Sequence, residues 1–296
     1  MAPVRFALLI VASAALGCGS LPPPKSAPPS AELALSSLRH DHGCGTAARA
    51  EAVLTLVSPT ASFRGDANLL VAHLARLRLE VQTTFGVALL QLAANDELAA
   101  VDPRNRVFSE GPNDACTLHA WLGLPIPPAL LVTVLRGNVP VIEHESSRIA
   151  WRGDGAWELT LEGQGLVQVI ELTVPGDARD APWDGQRLEL RMAEVRYDGR
   201  VLWRLETDKH ATAPLAPPLV DPDGLDEPVP PSGPACTATL PRRVVLTLPE
   251  RNASLRLDLR NVAWNPPLTP GAFAMSVPEG FRRERLRCET SPGVRR

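Results

Sequence analysis

Aromatic residues make up only 4% of this 296-residue chain, tyrosine occurs once and methionine three times. Such a composition argues for a mainly aliphatic interior. Positive charge is also short, with 30 lysines and arginines against 33 acids and a net charge of −3. That balance gives no electrostatic reason to expect nucleic acid as a partner. The five cysteines contain no C-x-x-C pair, which argues against thioredoxin-like chemistry and zinc sites. No serine stands in a G-x-S-x-G elbow, the acids are dispersed, and His73, His119, His144 and His210 are scattered. His40-Asp41-His42 has metal-like letters, but histidines two apart in a turn are poorly placed to share one ion. The expectation is therefore no enzyme, no cofactor and no metal. Beyond the N-terminus no apolar run approaches the length of a membrane-spanning helix.

The N-terminus itself reads MAPVRFALLIVASAALGC. One positive charge, Arg5, precedes an apolar run from Phe6 to Leu16 of signal-peptide length, too short to cross a bilayer as a helix. The run ends in Ala15-Leu16-Gly17-Cys18, which resembles the site cut by lipoprotein signal peptidase. Residues 1–17 are read as a lipoprotein signal peptide and Cys18 as the lipid attachment point. Removing 1–17 takes away one positive charge and leaves −4. Residues 18–32, rich in proline and serine, have the composition of a flexible tether. Two or three acyl chains on one cysteine anchor a protein stably where a single chain does not. Gly19 in place of an aspartate suggests the outer membrane, facing the periplasm.

Four cysteines remain: Cys44, Cys116, Cys236 and Cys288. An even count in an oxidising compartment makes two disulfides plausible, and the sequence does not choose among the three pairings. Helical spacing predicts a short helix over 31–39. From residue 49 the period changes to alternation, predicting strands at 49–57, 67–74, 76–82, 87–94, 97–102 and 106–109. Two helices interrupt at 113–121 and 127–136, with Asn113 or Asp114 as a cap and Pro128 at the start of the second. Strands resume at 148–152, 156–162, 166–174, 187–196 and 200–206. A proline-rich insertion at 208–236 precedes three more, at 242–248, 254–262 and 273–277.

Three stretches resemble the LolA/LolB lipoprotein-carrier superfamily, most closely the outer-membrane receptor LolB. Residues 78–92 (RLEVQTTFGVALLQL) are similar to its strand–loop–strand, in which a bulky apolar residue followed by glycine tips the turn. Leu122-Gly123-Leu124-Pro125-Ile126-Pro127 resembles its G-x-P-I-P segment opening a lid helix, and residues 262–280 resemble its closing strands. In order of elements the likeness covers 33–285, within a domain spanning 33–288 and followed by a tail at 289–296. It implies a mainly β (α+β) fold: an incompletely closed antiparallel β-barrel covered by a helical lid, with an apolar concavity between them.

The resemblance also implies a function. A lipid-anchored carrier would accept the acyl chains of lipoproteins from a periplasmic LolA-like carrier and place them in the outer membrane. Phe85 is its candidate membrane-contacting loop tip. Leu118, Trp121, Leu122, Leu130, Leu131 and Val134 are candidates for the acyl-facing side of the lid, because three- and four-residue spacing puts each set on one helix face. An aromatic folded back into the core is the alternative for Phe85, and ordinary core packing is the alternative for the lid residues. Two other functions suit the same scaffold: an amphiphile-binding or envelope-sensing lipoprotein, and a structural lipoprotein whose concavity is filled by its own side chains.

Overall fold

The computed structural model describes residues 20–73, 75–221, 223 and 227–287. The signal peptide, Cys18, Cys288 and the 289–296 tail lie outside the described residues.

Local signals place the helices. Ser30 caps α1 (Ala31–Asp41) by accepting from the Leu33 N–H at 3.2 Å, and Ala31, Ala34, Leu35 and Leu38 form its buried stripe. Asp114 caps α2 (Ala115–Leu122) through the Thr117 N–H at 2.9 Å, and Gly123 at φ +67° ends it. Pro128 opens α3 (Pro128–Leu135), where its missing N–H has no partner to lose.

Between α1 and α2 runs a meander of β1 (Ala47–Val57), β2 (Ser62–Ala72), β3 (Arg76–Gln82), β4 (Ala88–Ala94), β5 (Glu97–Asp102) and β6 (Val107–Pro112). After α3 a second follows, of β7 (Ser146–Arg152), β8 (Ala156–Gly163), β9 (Leu166–Thr173), β10 (Glu189–Tyr197) and β11 (Arg200–Asp208). The short pair β12 (Ala211–Ala213) and β13 (Ala238–Leu240) brackets the proline-rich insertion. β14 (Arg243–Leu248) and β15 (Ala253–Trp264) then join the two meanders, and β16 (Arg282–Arg285) ends the described chain.

Apart from β12 and β13, which pair only with each other, the strands of the described residues make one fourteen-stranded sheet in the order β16-β6-β5-β4-β3-β2-β1-β15-β14-β11-β10-β9-β8-β7. The mainly β reading holds, the sheet is not closed into a barrel, and the expectation of wholly antiparallel pairing fails at one strand. The sheet is open, with β16 and β7 as its edges, and it is mixed, because β16 lies parallel to β6. The strand expected at 273–277 is also absent: Phe273 instead lies buried against Ala47 and Ala72, with Arg76 over its ring at 5.1 Å. Pro266, Pro267 and Pro270 just before it supply no N–H for a ladder.

Residues 20–30, expected to be flexible, lie along the domain. The Leu21 N–H donates to Gly153 O at 2.8 Å, Trp151 Nε1 to Leu21 O at 2.9 Å and Gln186 Nε2 to Ser26 O at 2.8 Å, while Pro24 and Pro28 are buried. Partners more than 120 residues away hold the strap, so its own composition does not reveal them.

One large aliphatic core fills the face of the sheet that the helices cover. α3 packs on β2 and β3, α2 on β5, and α1 on β7.

Candidate functional site

Two features stand out: the helical layer over β1–β5 and the β3–β4 hairpin tip.

Beneath α3 the sheet floor is built from small side chains, with Ala48, Ala50, Ala52 and Ala67 all buried. On the helices, Leu118, Leu122, Leu130, Leu131 and Val134 are buried in the same core, and Trp121 packs half-buried against it. The structure therefore gathers all six predicted lid residues on one apolar layer. Between layer and floor, Ala48, Ala50, Leu69, Val71, Leu135, Leu259 and Val262 line a void of only ≈ 10 Å³. That void is far smaller than an acyl chain.

The G-x-P-I-P segment clamps this layer to the sheet. A Cβ on Gly123 would lie 2.6 Å from Thr60 Oγ1 and 2.9 Å from Ser58 Cβ, so the α2–α3 junction sits directly on the β1–β2 turn. Leu124 and Ile126 are buried on either side of Pro125. At the other end, a Cβ on Gly137 would meet His42 Nε2 at 2.5 Å, and the Arg136 guanidinium donates to Gly45 O. Burial lowers the Arg136 pKa from its ordinary value.

Both ring nitrogens of His42 face carbonyls, Nδ1 at 2.8 Å from Leu38 O and Nε2 at 2.9 Å from Thr239 O. That leaves neither free to bind an ion. Among the described residues no three His, Cys, Asp or Glu side chains are grouped to hold a metal. Cys44 is bonded to Cys236, tying the end of α1 to the insertion, and Cys116 is also disulfide-bonded. Asn265, fully buried, completes this corner: its Oδ1 accepts from the Thr46 N–H at 2.8 Å and its Nδ2 donates to Pro234 O at 3.0 Å.

The β3–β4 turn is the opposite kind of surface. Phe85 is 92% exposed and Val87 61% exposed. Thr83 holds the turn out, its Oγ1 accepting from the Phe85 N–H at 3.3 Å and the Val87 N–H at 3.1 Å. Gly86 supplies the φ of +77° that the reversal needs, with open space around it. The core alternative for Phe85 is thereby excluded. Sequence reasoning missed Val87, although a signal was present: residues 81–95 contain no charged side chain.

On the uncovered face of β7–β11, arginines and carboxylates alternate around a groove of ≈ 860 Å³. Arg152 and Arg191 hold Glu171, the latter at 2.8 Å, and Arg204 reaches Glu194 at 3.4 Å. Each buried carboxylate there has its cation, so the groove is a paired surface. Among the described residues no helix is long and apolar enough to cross a membrane.

No protein-family model matches the chain, and no curated protein does. Solved structures do. A DUF1329 family protein from Desulfovibrio piger superposes with a TM-score of 0.50 at 9% identity, covering 82% of this chain and 96% of that one. Lower superpositions join a putative outer membrane lipoprotein-sorting protein domain from Vibrio parahaemolyticus (TM-score 0.46, 10% identity, 81% and 95% covered) and the LolA superfamily protein NE2245 from Nitrosomonas europaea (0.43, 10%, 83% and 98%). The chain thus shares its fold with the D. piger protein, and the likeness is one of fold.

Proposed function

We propose that the protein is a lipid-anchored carrier facing the periplasm, which binds acyl chains beneath α2 and α3 and delivers them to a membrane through the β3–β4 tip. The cargo would be acylated lipoproteins received from a LolA-like carrier and placed in the outer membrane, with Cys18 as the anchor. The observation that carries this reading is the β3–β4 tip, where Phe85 and Val87 stand bare together on an uncharged, hydrogen-bonded turn, a contiguous apolar patch that suits a protein meeting lipid. The resemblance at residues 78–92 and 122–127 supports it, as does the alanine floor facing an aliphatic helical layer.

No covalent step is needed. Each CH₂ of a guest chain contributes about 0.8 kcal/mol on burial, so lifting α3 off Ala48, Ala50 and Leu69 is offset as the chain slides in. Native mass spectrometry of the chain from Gly19 onward, mixed with an acylated lipoprotein and its delipidated form, tests this. Only the acylated form should bind, and binding of both, or of neither, sinks the carrier.

A second reading has one observation in its favour. The ≈ 10 Å³ void equally suits a structural envelope lipoprotein whose layer never opens. The same experiment separates the two, since that protein would bind neither form.

A further inference from the structure

The end of the sheet that carries Phe85 also carries the least compensated arginines nearby. β5 runs in the same direction as β3, so the β5–β6 turn (103–106) emerges at the same strand ends as the β3–β4 turn. The two turns are about two strand spacings, roughly 10 Å, apart. Arg104 and Arg106 are exposed on this second turn, and neither has an ion pair among the described residues. The adjacent carboxylate, Asp102, is occupied: it accepts from the Arg104 N–H at 2.9 Å, the Asn105 N–H at 3.1 Å and Asn105 Nδ2 at 2.7 Å.

β16 adds to the basic character, starting where the Arg282 N–H donates to Arg106 O at 2.9 Å. Across residues 97–112 and 279–287, six arginines face five carboxylates, on a chain that is acidic as a whole. On the other flank Arg64 is exposed on β2, two residues beyond the Asp66–Gln82 register pair.

The registers also set the relative heights. Val101 pairs with Gln91, which places Arg104 near the level of Ala88, two to three residues below Phe85. At about 3.3 Å per residue the apolar tip stands roughly 7–10 Å beyond the guanidiniums. A surface-bound apolar segment buries to about 5–10 Å at the boundary between headgroups and acyl chains. With Phe85 at that depth, Arg104 and Arg106 lie level with lipid phosphates and Val87 stands about 3 Å deeper than they do.

We infer that the β3–β4 and β5–β6 turns together form a docking surface for a bilayer containing anionic phospholipid, with Phe85 and Val87 inserted and Arg104 and Arg106 on the phosphates. The inference rests on the membrane role of Phe85 and adds the class of lipid. Charge complementarity selects this occupant: the phosphates of a zwitterionic bilayer are already offset by its own ammonium groups, whereas anionic lipid gives the net negative surface that two unpaired guanidiniums seek. An acidic protein would have no use for the apolar tip beyond them.

The chain from Gly19 onward, which lacks the predicted signal peptide and lipid-attachment cysteine, serves for vesicle co-sedimentation because binding then reports the fold and not the anchor. It should bind vesicles of mixed zwitterionic and anionic phospholipid more tightly than purely zwitterionic ones, and the gain should vanish at high ionic strength. A basic residue near an anionic surface contributes about fivefold, so an Arg104→Gln/Arg106→Asn variant should lose most of the gain, up to about twentyfivefold. Binding to zwitterionic vesicles should stay the same. Asparagine suits position 106, whose φ is +52°. Phe85→Ser should weaken binding to both vesicles by one common factor, and Arg148→Gln, an exposed arginine on edge strand β7, should change neither.

The proposal is overturned if wild type shows no anionic preference, if the double variant keeps it, or if Arg148→Gln removes as much. If Phe85→Ser changes nothing while the arginine effect persists, the lipid role of Phe85 fails and the basic docking surface stands.

Discussion

Replacing Gly123 by alanine tests whether the α2–α3 junction is clamped as described. Two costs add at this position. The backbone sits at φ +67°, where a Cβ costs about 1 kcal/mol. The new methyl would also stand within 2.6 Å of Thr60 Oγ1 and 2.9 Å of Ser58 Cβ, an overpacking that typically costs about 1–3 kcal/mol. Gly86 is an internal reference: its φ of +77° is similar, but no atom lies within 4 Å of a Cβ there. Gly86→Ala should therefore cost about 1 kcal/mol and Gly123→Ala about 2–4 kcal/mol. At this chain length each kcal/mol is worth about 2–4 °C in Tm. Urea unfolding of both variants gives the comparison, and amide exchange should quicken over residues 124–135 while β9 stays protected. Thr60→Ala, which removes one opposing atom, should recover part of the Gly123→Ala loss. Equal losses at Gly86 and Gly123 would refute the clamp.

Other expectations follow from the corner around Cys44 and from His210. Cys44 and Cys236 close a loop with a sequence separation of 192, and chain entropy then gives an upper limit of about 5 kcal/mol for the bond. Cys44→Ser should lower the urea midpoint clearly, and an unchanged midpoint would contradict the closure. Asn265→Ala should cost about 1–3 kcal/mol, since the half-buried Thr46 N–H loses its partner and the more exposed Pro234 carbonyl loses another. A loss under 1 kcal/mol would mean that water replaces the amide. Burial holds the His210 pKa down to about 4, against opposition from Asp208. Between that value and the unfolded pKa near 6.5, the unfolded chain binds the extra proton, so stability is full above the window and falls as pH drops through it. Between about pH 7 and pH 5 the loss should reach up to about 2 kcal/mol, an upper limit because Glu189 lies 3.6 Å from Nδ1. His210→Gln should flatten that decline, and the same slope in both proteins would refute the assignment.

The elements that could be read from the sequence were those whose cause is local. Ser30 and Asp114 start helices through bonds within a few residues, Pro128 through its own fixed backbone, and alternation marks β3 and β14 because each buries one face only. β16 was invisible, since Arg282-Arg283-Glu284-Arg285 has no apolar alternation and becomes a strand only by lying beside β6. Residues 273–277 misled because Phe273 and Val277 have strand-like side chains, while their surroundings provide a groove for Phe273 and no neighbouring ladder. At the candidate site, the G-x-P-I-P letters pointed to the junction, but the need for glycine at position 123 comes from Ser58 and Thr60, some sixty residues earlier. Phe85 was legible as a turn residue. The basic turn beside it was not, because only the strand order brings residues 83–87 and 103–106 to one end.

That strand order also bears on how the chain reaches its fold. β1 is among the first elements made and β15 among the last, yet they pair along most of their length at the middle of the sheet. The strands on either side are local meanders, β1–β6 and β7–β11, whose hairpins close over short stretches of chain. Each meander can form as soon as it is synthesised, but the join between them waits for β14 and β15, and the loop that closes there spans some two hundred residues. Non-local pairing of this kind is slow, and until it is complete β1 presents an unpaired edge along which chains can associate. A chain truncated before residue 243 would keep that edge permanently, so the protein's greatest exposure to aggregation falls before its last strands arrive.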